Sequence, residues 1–184
     1  MIVKKQEARK LYKERRKRLS QKKIETFQKS IYNQVYNLNL TKVEYIHIFL
    51  PIVKQKEINT FRIIDFLYEQ KKTIVISKSN FENNVLTHFI LTDKTKLTEN
   101  SYGIPEPTNG EEIDVKKIDL VFVPLLISDK KNYRVGYGKG FYDRFLASCR
   151  KDVITIGLNF FTPIECISDI HEFDIPLNNV IYPI

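Results

Sequence analysis

Long apolar runs are missing from this chain, and that absence sets the first limit on its function. No stretch of the 184 residues reaches the roughly 20 consecutive apolar positions that cross a bilayer as a helix. The N-terminus, Met1-Ile2-Val3-Lys4-Lys5, runs at once into charge and lacks the apolar centre and small-residue cleavage site of a secretory signal. Cysteine is scarce: Cys149 and Cys166 form no CxxC pair and allow at most one bridge, which a reducing compartment disfavours. The three histidines, His47, His88 and His171, are scattered without zinc-site spacing. Internal repeats and low-complexity linkers are also absent. With 42% hydrophobic and 28% charged residues, the chain can pack a core of its own. The expectation is therefore one domain over residues 1–184, cytoplasmic and away from the membrane.

Charge is present but unevenly placed. The net charge is +8, yet residues 1–23 alone hold eleven Lys or Arg against two Glu, a net of +9. The other 161 residues hold nineteen basic and twenty acidic side chains, a net of −1. A segment of this kind attracts anions, whether nucleic acid, lipid headgroups or a polyphosphate ligand. For most of its residues a solvated helix face explains the charge equally well.

Helix-like and strand-like stretches alternate along the chain. Residues 3–18 are charged and helix-favouring. Ser20 is placed to cap a second helix, in which Ile24, Phe27, Ile31, Val35 and Leu38 recur at three- and four-residue spacing. Residues 45–50, 73–77, 86–91, 120–125, 153–158 and 179–181 read as strands. Asn59 or Thr60 is placed to cap a helix through Tyr68, and residues 140–149 read as another helix. Strands apolar on both faces, alternating with helices, predict an α/β fold: a mostly parallel sheet with helices on both faces, in three α/β/α layers. Ligands of such sheets bind at the carboxyl ends of the strands, here just after Leu50, Pro124 and Leu158.

Glycine is the most informative scarcity. Of only six glycines, three fall within five residues, at Gly136, Gly138 and Gly140. They belong to the string Arg134-Val135-Gly136-Tyr137-Gly138-Lys139-Gly140-Phe141-Tyr142-Asp143-Arg144, between the clearest strand and a helix. Glycines let the backbone bring successive N–H groups close to a ligand, and a following helix N-terminus favours phosphate. Arg134 and Lys139 add positive charge, and Asp143 is a candidate for magnesium bridging phosphate oxygens. The string is not a Walker A loop, which needs a four-residue gap and a Lys-Ser/Thr ending. It is not the dinucleotide fingerprint either, which needs a small residue where Phe141 stands. As bare spacing, a tight turn without ligand remains an equal alternative.

The whole string is far more specific. It resembles the RLGYGGGYYDR-type signature of the 5-formyltetrahydrofolate cyclo-ligase family. Further segments fit the same family in order: Lys5 and Arg9 as its KxxxR pair, Phe49-Leu50-Pro51 leading to Glu57-Ile58-Asn59-Thr60, Tyr102-Gly103-Ile104-Pro105-Glu106-Pro107, the strand from Asp119 to Pro124, and Asp174-Ile175-Pro176-Leu177. Tyr102, Asn132, Lys139 and Asn178 depart from the commonest family residues at their positions.

The resemblance implies a fold similar to the sugar-phosphate isomerase-like group and an enzyme that consumes ATP with Mg²⁺. It implies a monomer whose partners are two small molecules, ATP and 5-formyltetrahydrofolate. In that reading Lys5, Arg9 and the loop from Arg134 through Val135, Gly136, Tyr137, Gly138, Lys139, Gly140, Phe141 and Tyr142 bind the nucleotide. Arg134 and Lys139 serve the chemistry. Leu50, Glu57 and the loop residues Tyr137 to Phe141 contact folate, and Asp143 and Asp174 hold magnesium. Taken without the resemblance, Glu57 reads as a surface residue before a helix and Asp174 as an ordinary loop aspartate, while Glu106, between two prolines, reads equally as an exposed acid in a rigid loop and as a substrate contact. Tyr137 suits stacking on a ligand ring, whereas Phe141 and Tyr142 suit ligand and helix core equally.

Two other readings remain at this stage: a basic nucleic-acid-binding module, disfavoured because no aromatics interleave with residues 1–23, and another phosphate-binding α/β enzyme. The four-residue spacing puts Lys5 and Arg9 on one helix face, but Lys10, Lys13 and Arg16 compete for the same anion, and only the KxxxR resemblance singles out Arg9. Arg9→Ala is accordingly expected to weaken ATP binding more than Arg16→Ala. Equal losses in a nucleotide titration would mean that the segment acts only as a field of charge.

Overall fold

Leu120 and Phe122 bury on one face of a strand while Val121 and Val123 bury on the other, so this strand is covered on both sides. The computed structural model describes all 184 residues, and this strand lies inside its main sheet. The first half contains β1 (Ile2–Val3), α1 (Lys5–Lys17), α2 (Gln21–Tyr36), β2 (Tyr45–His47), α3 (Phe61–Glu69), β3 (Thr73–Asn80) and β4 (Val85–Ile90). There follow β5 (Leu97–Glu99), β6 (Pro105–Pro107), β7 (Leu120–Pro124), β8 (Ile127–Ser128) and β9 (Arg134–Val135). The chain ends with α4 (Phe141–Ser148), β10 (Ile154–Leu158), β11 (Cys166–Ile167) and β12 (Asn179–Ile181).

Six strands form the main sheet in the order β12-β10-β7-β2-β3-β4. Every pairing is parallel except β3 with β4, which is antiparallel. The α/β expectation holds, with an antiparallel edge added. That edge was hidden in the sequence because residues 81–84, Phe-Glu-Asn-Asn, carry no glycine to mark the reversal; Asn84 itself takes the left-handed conformation, φ 55°.

One face is covered by α2 and α3. Ile24, Ile31 and Val35 of α2 and Ile63, Ile64 and Leu67 of α3 pack on Ile46, Ile74, Ile76, Leu120, Phe122 and Ile156. The other face is covered by α4, whose Phe145 and Leu146 meet Val75, Val121, Val123 and Val180. Ser20 caps α2 as its position predicts, its Oγ accepting from the Lys23 N–H at 3.3 Å. The start of α3 differs from expectation. Thr60 occupies the cap position, but its hydroxyl donates to the Phe49 carbonyl at 2.6 Å, while Asn59 Oδ1 accepts from the Phe61 N–H at 3.1 Å. Thr60 thus ties the helix to the segment after β2.

Helix α1 lies off the main sheet. It begins at Lys5 rather than at residue 3, because Ile2 and Val3 pair in parallel with Cys166 and Ile167. Its own cap residue, Lys4, offers no acceptor; Asp169 instead accepts the Lys5 backbone N–H at 2.7 Å. Ala8 and Tyr12 bury in a third apolar cluster with Val3, Leu126, Ile127, Val135, Ile164 and Ile167. No helix of the chain is long and apolar enough to cross a membrane.

Two histidines are sealed under α4. His47 Nε2 lies 2.7 Å from Ser77 Oγ, and Ser77 Oγ lies 3.1 Å from His88 Nδ1, with Phe145 packed on both rings. Burial disfavours the charged imidazoles: the His88 pKa falls to about 4, and burial with the neighbouring His88 holds His47 well below its ordinary value. Both remain neutral in the folded chain while an unfolded histidine protonates near 6.5. Stability is therefore fully present above about pH 6.5 and declines as pH falls toward 4, by up to about 1.4 kcal/mol per pH unit for each histidine. His88→Gln should flatten that acid limb in urea midpoints measured at pH 7, 6 and 5. Parallel losses in both proteins would exonerate His88.

Candidate active site

Leu50 follows β2 and Pro124 ends β7, and both line a cavity of about 360 Å³ at the carboxyl ends of these strands. The volume suits a small-molecule ligand. Every residue singled out from the sequence lines it: Lys5, Arg9, Leu50, Glu57, all of 134–142, Asp143 and Asp174. Leu158, the third strand end expected there, lies instead on a minor neighbouring recess with Arg16, Glu57 and Asn159.

The glycine loop hangs between β9 and α4 and is held from outside by α1. The Arg9 Nε–H donates to the Gly136 carbonyl at 3.0 Å. Gly138 adopts φ 95°, and a Cβ there would stand only 3.0 Å from Arg9 Cζ, so this glycine makes room for the guanidinium. Gly140, at φ 71°, turns the chain into α4. Lys139 is exposed at the tip, and its ammonium makes no ion pair.

Opposite charges meet at one end of the cavity. Lys5 Nζ pairs with Asp174 Oδ2, which also accepts the His171 N–H at 2.6 Å. Burial pulls the Asp174 pKa up, but the His171 N–H and Lys5 more than offset it and hold it below the ordinary value. Arg134 is buried; it donates to Asp143 Oδ1 and to the Ile175 carbonyl, each at 2.6 Å. Burial lowers the Arg134 pKa, against the opposing pull of Asp143 and Asp174.

The other end is built around Glu57, which the structure buries, contrary to the surface position that its neighbours in sequence indicate. Glu57 Oε2 accepts the Ile52 N–H at 2.7 Å, and Oε1 accepts the Tyr137 hydroxyl at 2.6 Å. That hydroxyl in turn accepts a hydrogen bond from Arg16 Nη2. Tyr137 is therefore anchored at its hydroxyl rather than offering it to a ligand. Tyr142 packs against His47 and Phe145 and belongs to the core, though it edges the cavity. Phe141 meets Phe81 edge-on at 5.2 Å, and Phe81 stacks on Tyr102 at 4.2 Å, forming an aromatic wall.

Sequence reading missed several residues. Ser77, Ser79, Phe81 and Leu86 line the cavity from the β3–β4 hairpin; the period-2 alternation continuing from Val75 was the available signal. Arg16 stood in the sequence only among the competing basic residues of its segment, yet it is buried. The signal was helical geometry: eleven residues beyond Lys5 is three turns plus about 20°, which returns Arg16 to the stripe of Lys5 and Arg9. Exposed Lys10 is the proper comparator for Arg9. Glu106 is likewise not an exposed acid; it is buried on β6, where Oε1 accepts the Ser79 N–H at 2.8 Å.

The sequence profile of the 5-formyltetrahydrofolate cyclo-ligase family matches residues 1–183. The chain belongs to that family. A 5-formyltetrahydrofolate cyclo-ligase of Mus musculus is 32% identical over 148 residues, 74% of this chain and 72% of that one. One of Haemophilus influenzae is 31% identical over 130 residues, covering 68% of this chain and 69% of its own. In fold, the chain is similar to the Aquifex aeolicus 5,10-methenyltetrahydrofolate synthetase, with a TM-score of 0.80 at 23% identity over 96% of this chain and 88% of that one. The Mycoplasma pneumoniae 5,10-methenyltetrahydrofolate synthetase gives 0.75 at 20% identity over 97% and 98%.

The seat of Arg9 gives a specific test. In Gly138→Ala, a side chain in the left-handed region costs roughly 1–2 kcal/mol, or about 2–8 °C in melting temperature for a chain of this size. The new Cβ also pushes Arg9 off the Gly136 carbonyl. Nucleotide affinity, measured by titration, should drop by more than the melting shift explains. An unchanged affinity would show that Arg9 does not depend on this seat.

Proposed function

We propose that the protein catalyses the ATP-dependent cyclisation of 5-formyltetrahydrofolate to 5,10-methenyltetrahydrofolate, with release of ADP and phosphate. The observation that carries this reading is the single cavity that joins a charged end, a glycine loop and a buried carboxylate, all from family-like segments spread over the whole chain. In this reading the formyl oxygen attacks the γ-phosphorus of ATP and ADP leaves. N10 then attacks the activated carbon, loses its proton, and phosphate departs with the former formyl oxygen. A formamide oxygen leaves poorly and a phosphate leaves well, so the phosphorylation supplies the driving force. What remains for the protein is positioning and neutralisation of phosphate charge.

The side chains divide that work. Arg9 and the N–H groups of 136–140 suit phosphates, and exposed Lys139, which makes no ion pair, would act as a point charge toward the transferring group. Arg134 is held by Asp143 and the Ile175 carbonyl, which suits it to fixing the charged end of the cavity. Glu57 faces the folate end, where a carboxylate accepts ring N–H donors. Two cations of the basic N-terminal segment, Lys5 and Arg9, line the cavity, where a polyphosphate ligand needs positive charge.

Magnesium fits this donor set as a companion of the nucleotide. No three acidic, histidine or cysteine groups converge into a cage, but Asp143 and Asp174 line the same cavity and each keeps one carboxylate oxygen without a hydrogen bond. One or two carboxylates with phosphates and water is the usual magnesium arrangement. When bound there it would neutralise phosphate charge. We further take the protein to act as a cytoplasmic monomer folded as one domain.

Mixing the purified protein with 5-formyltetrahydrofolate, ATP and magnesium should produce the absorbance of the methenyl product together with ADP. Omission of either ATP or the divalent ion should abolish both. A folded protein that yields neither product under the complete mixture would refute the proposal.

A further inference from the structure

Burial is unfavourable to the Glu57 carboxylate and holds its pKa above the ordinary value; Arg16, the Ile52 N–H and the Tyr137 hydroxyl offset part of that rise, with Arg16 the strongest of the three. Arg16 has no acid within ion-pair distance of its own. Its guanidinium donates to Tyr137, and Tyr137 donates to Glu57, so the three side chains form one chain of hydrogen bonds from α1 through the glycine loop to the segment after β2. The groups facing Glu57 from other elements are Arg16, Tyr137 and, from α4, Tyr142, whose phenol burial keeps neutral. Lys13 lies over the Tyr137 ring at 5.2 Å and adds positive potential from α1.

We propose that Arg16 is a positioning residue for the folate end of the site: it keeps Glu57 a carboxylate and, through the Tyr137 hydroxyl, fixes the glycine loop against it. The carboxylate then has a defined task. Each of its oxygens already accepts one hydrogen bond and retains a second lone pair. Together they suit a heterocyclic edge bearing two neighbouring N–H donors, such as a 2-amino-4-oxopyrimidine. A protonated Glu57 would turn one of those acceptors into a donor and reject that edge. This assignment rests on the proposed folate reading for the identity of the ligand, but not for the coupling of Arg16 to Glu57.

The test therefore has two readouts. The first is the titration of the Glu57 carboxyl, followed by ¹³C NMR in the ligand-free protein. In Arg16→Met its midpoint should move to higher pH, and in Arg16→Lys, which keeps the charge, it should stay near the wild-type value. The second is affinity at pH 7: Arg16→Met should lose roughly 10- to 100-fold for 5-formyltetrahydrofolate, the span of a charged hydrogen bond, while ATP affinity, which Arg9 and Lys5 still serve, falls by clearly less. An unmoved Glu57 midpoint would overturn the proposal. So would equal losses for both ligands alongside a lowered melting temperature, since that is the mark of a structural residue alone. If Arg16→Met does not fold, Tyr137→Phe breaks the same chain at its middle; it too must raise the Glu57 midpoint and weaken folate binding, or the proposal fails. Failure of the wild type to bind 5-formyltetrahydrofolate, with Glu57 still responding to Arg16, would sink the proposed function and uphold the coupling.

Discussion

Helix α1 has little apolar surface with which to hold its place: Ala8 and Tyr12 are its only buried apolar residues. Its position depends instead on a polar stripe. The Lys5 N–H is capped by Asp169 and the Lys5 ammonium meets Asp174; Arg9 reaches the Gly136 carbonyl one turn later, and Arg16 reaches Tyr137 near the helix end. Successive members recur close to a whole number of turns, so one face carries them all. Each bond is charge-assisted and partly or wholly screened from water, which makes it worth more than a surface pair. The cavity depends on this docking, because α1 supplies one wall and holds the loop that forms another.

The sheet was legible for the opposite reason. Its strands are buried on both faces, so Thr73–Ser77, Leu120–Pro124 and Ile154–Leu158 read as continuous apolar runs that few other structures explain. What escaped were the ladders of two or three residues: β1 with β11, β5 with β6, and β8 with β9. A pairing that short has no periodicity, and β5 is exposed throughout. These ladders nonetheless matter to the site. The β1–β11 pairing starts α1 beside residues 169–174, and β8–β9 presents Arg134.

Within the site, legibility followed chain locality. The run 134–143 carries its chemistry in consecutive residues: clustered glycines draw attention to it, and the whole string carries the family resemblance. Glu57, Arg16 and Glu106 are different: each is an ordinary charged residue whose burial is decided by elements distant in sequence. Glu57 and Tyr137 are eighty positions apart, and Arg16 and Tyr137 are 121 apart. Ser77 and Ser79 look like the polar half of an edge strand, but the β3–β4 hairpin and α4 enclose that half within the cavity. Local pattern sees a polar side chain and assigns it to solvent. Only the tertiary fold tells it from a polar group lining a pocket.

The charged end of the cavity follows one further constraint. Its two inward carboxylates each hold a cation: Asp174 holds Lys5 and Asp143 holds Arg134. The Asp174 and Asp143 side chains are 20% and 32% exposed, and removing one partner of such a partly buried pair leaves the other charge poorly compensated. A phosphate that took Lys5 or Arg134 for itself would strand a carboxylate, and a divalent cation that took a carboxylate would strand a lysine or an arginine. A phosphate and a cation arriving together exchange partners with both pairs and strand nothing. On the proposed reading, the pairing would favour a metal–nucleotide complex over either component, through charge balance rather than through any shape the pocket imposes on the ligand.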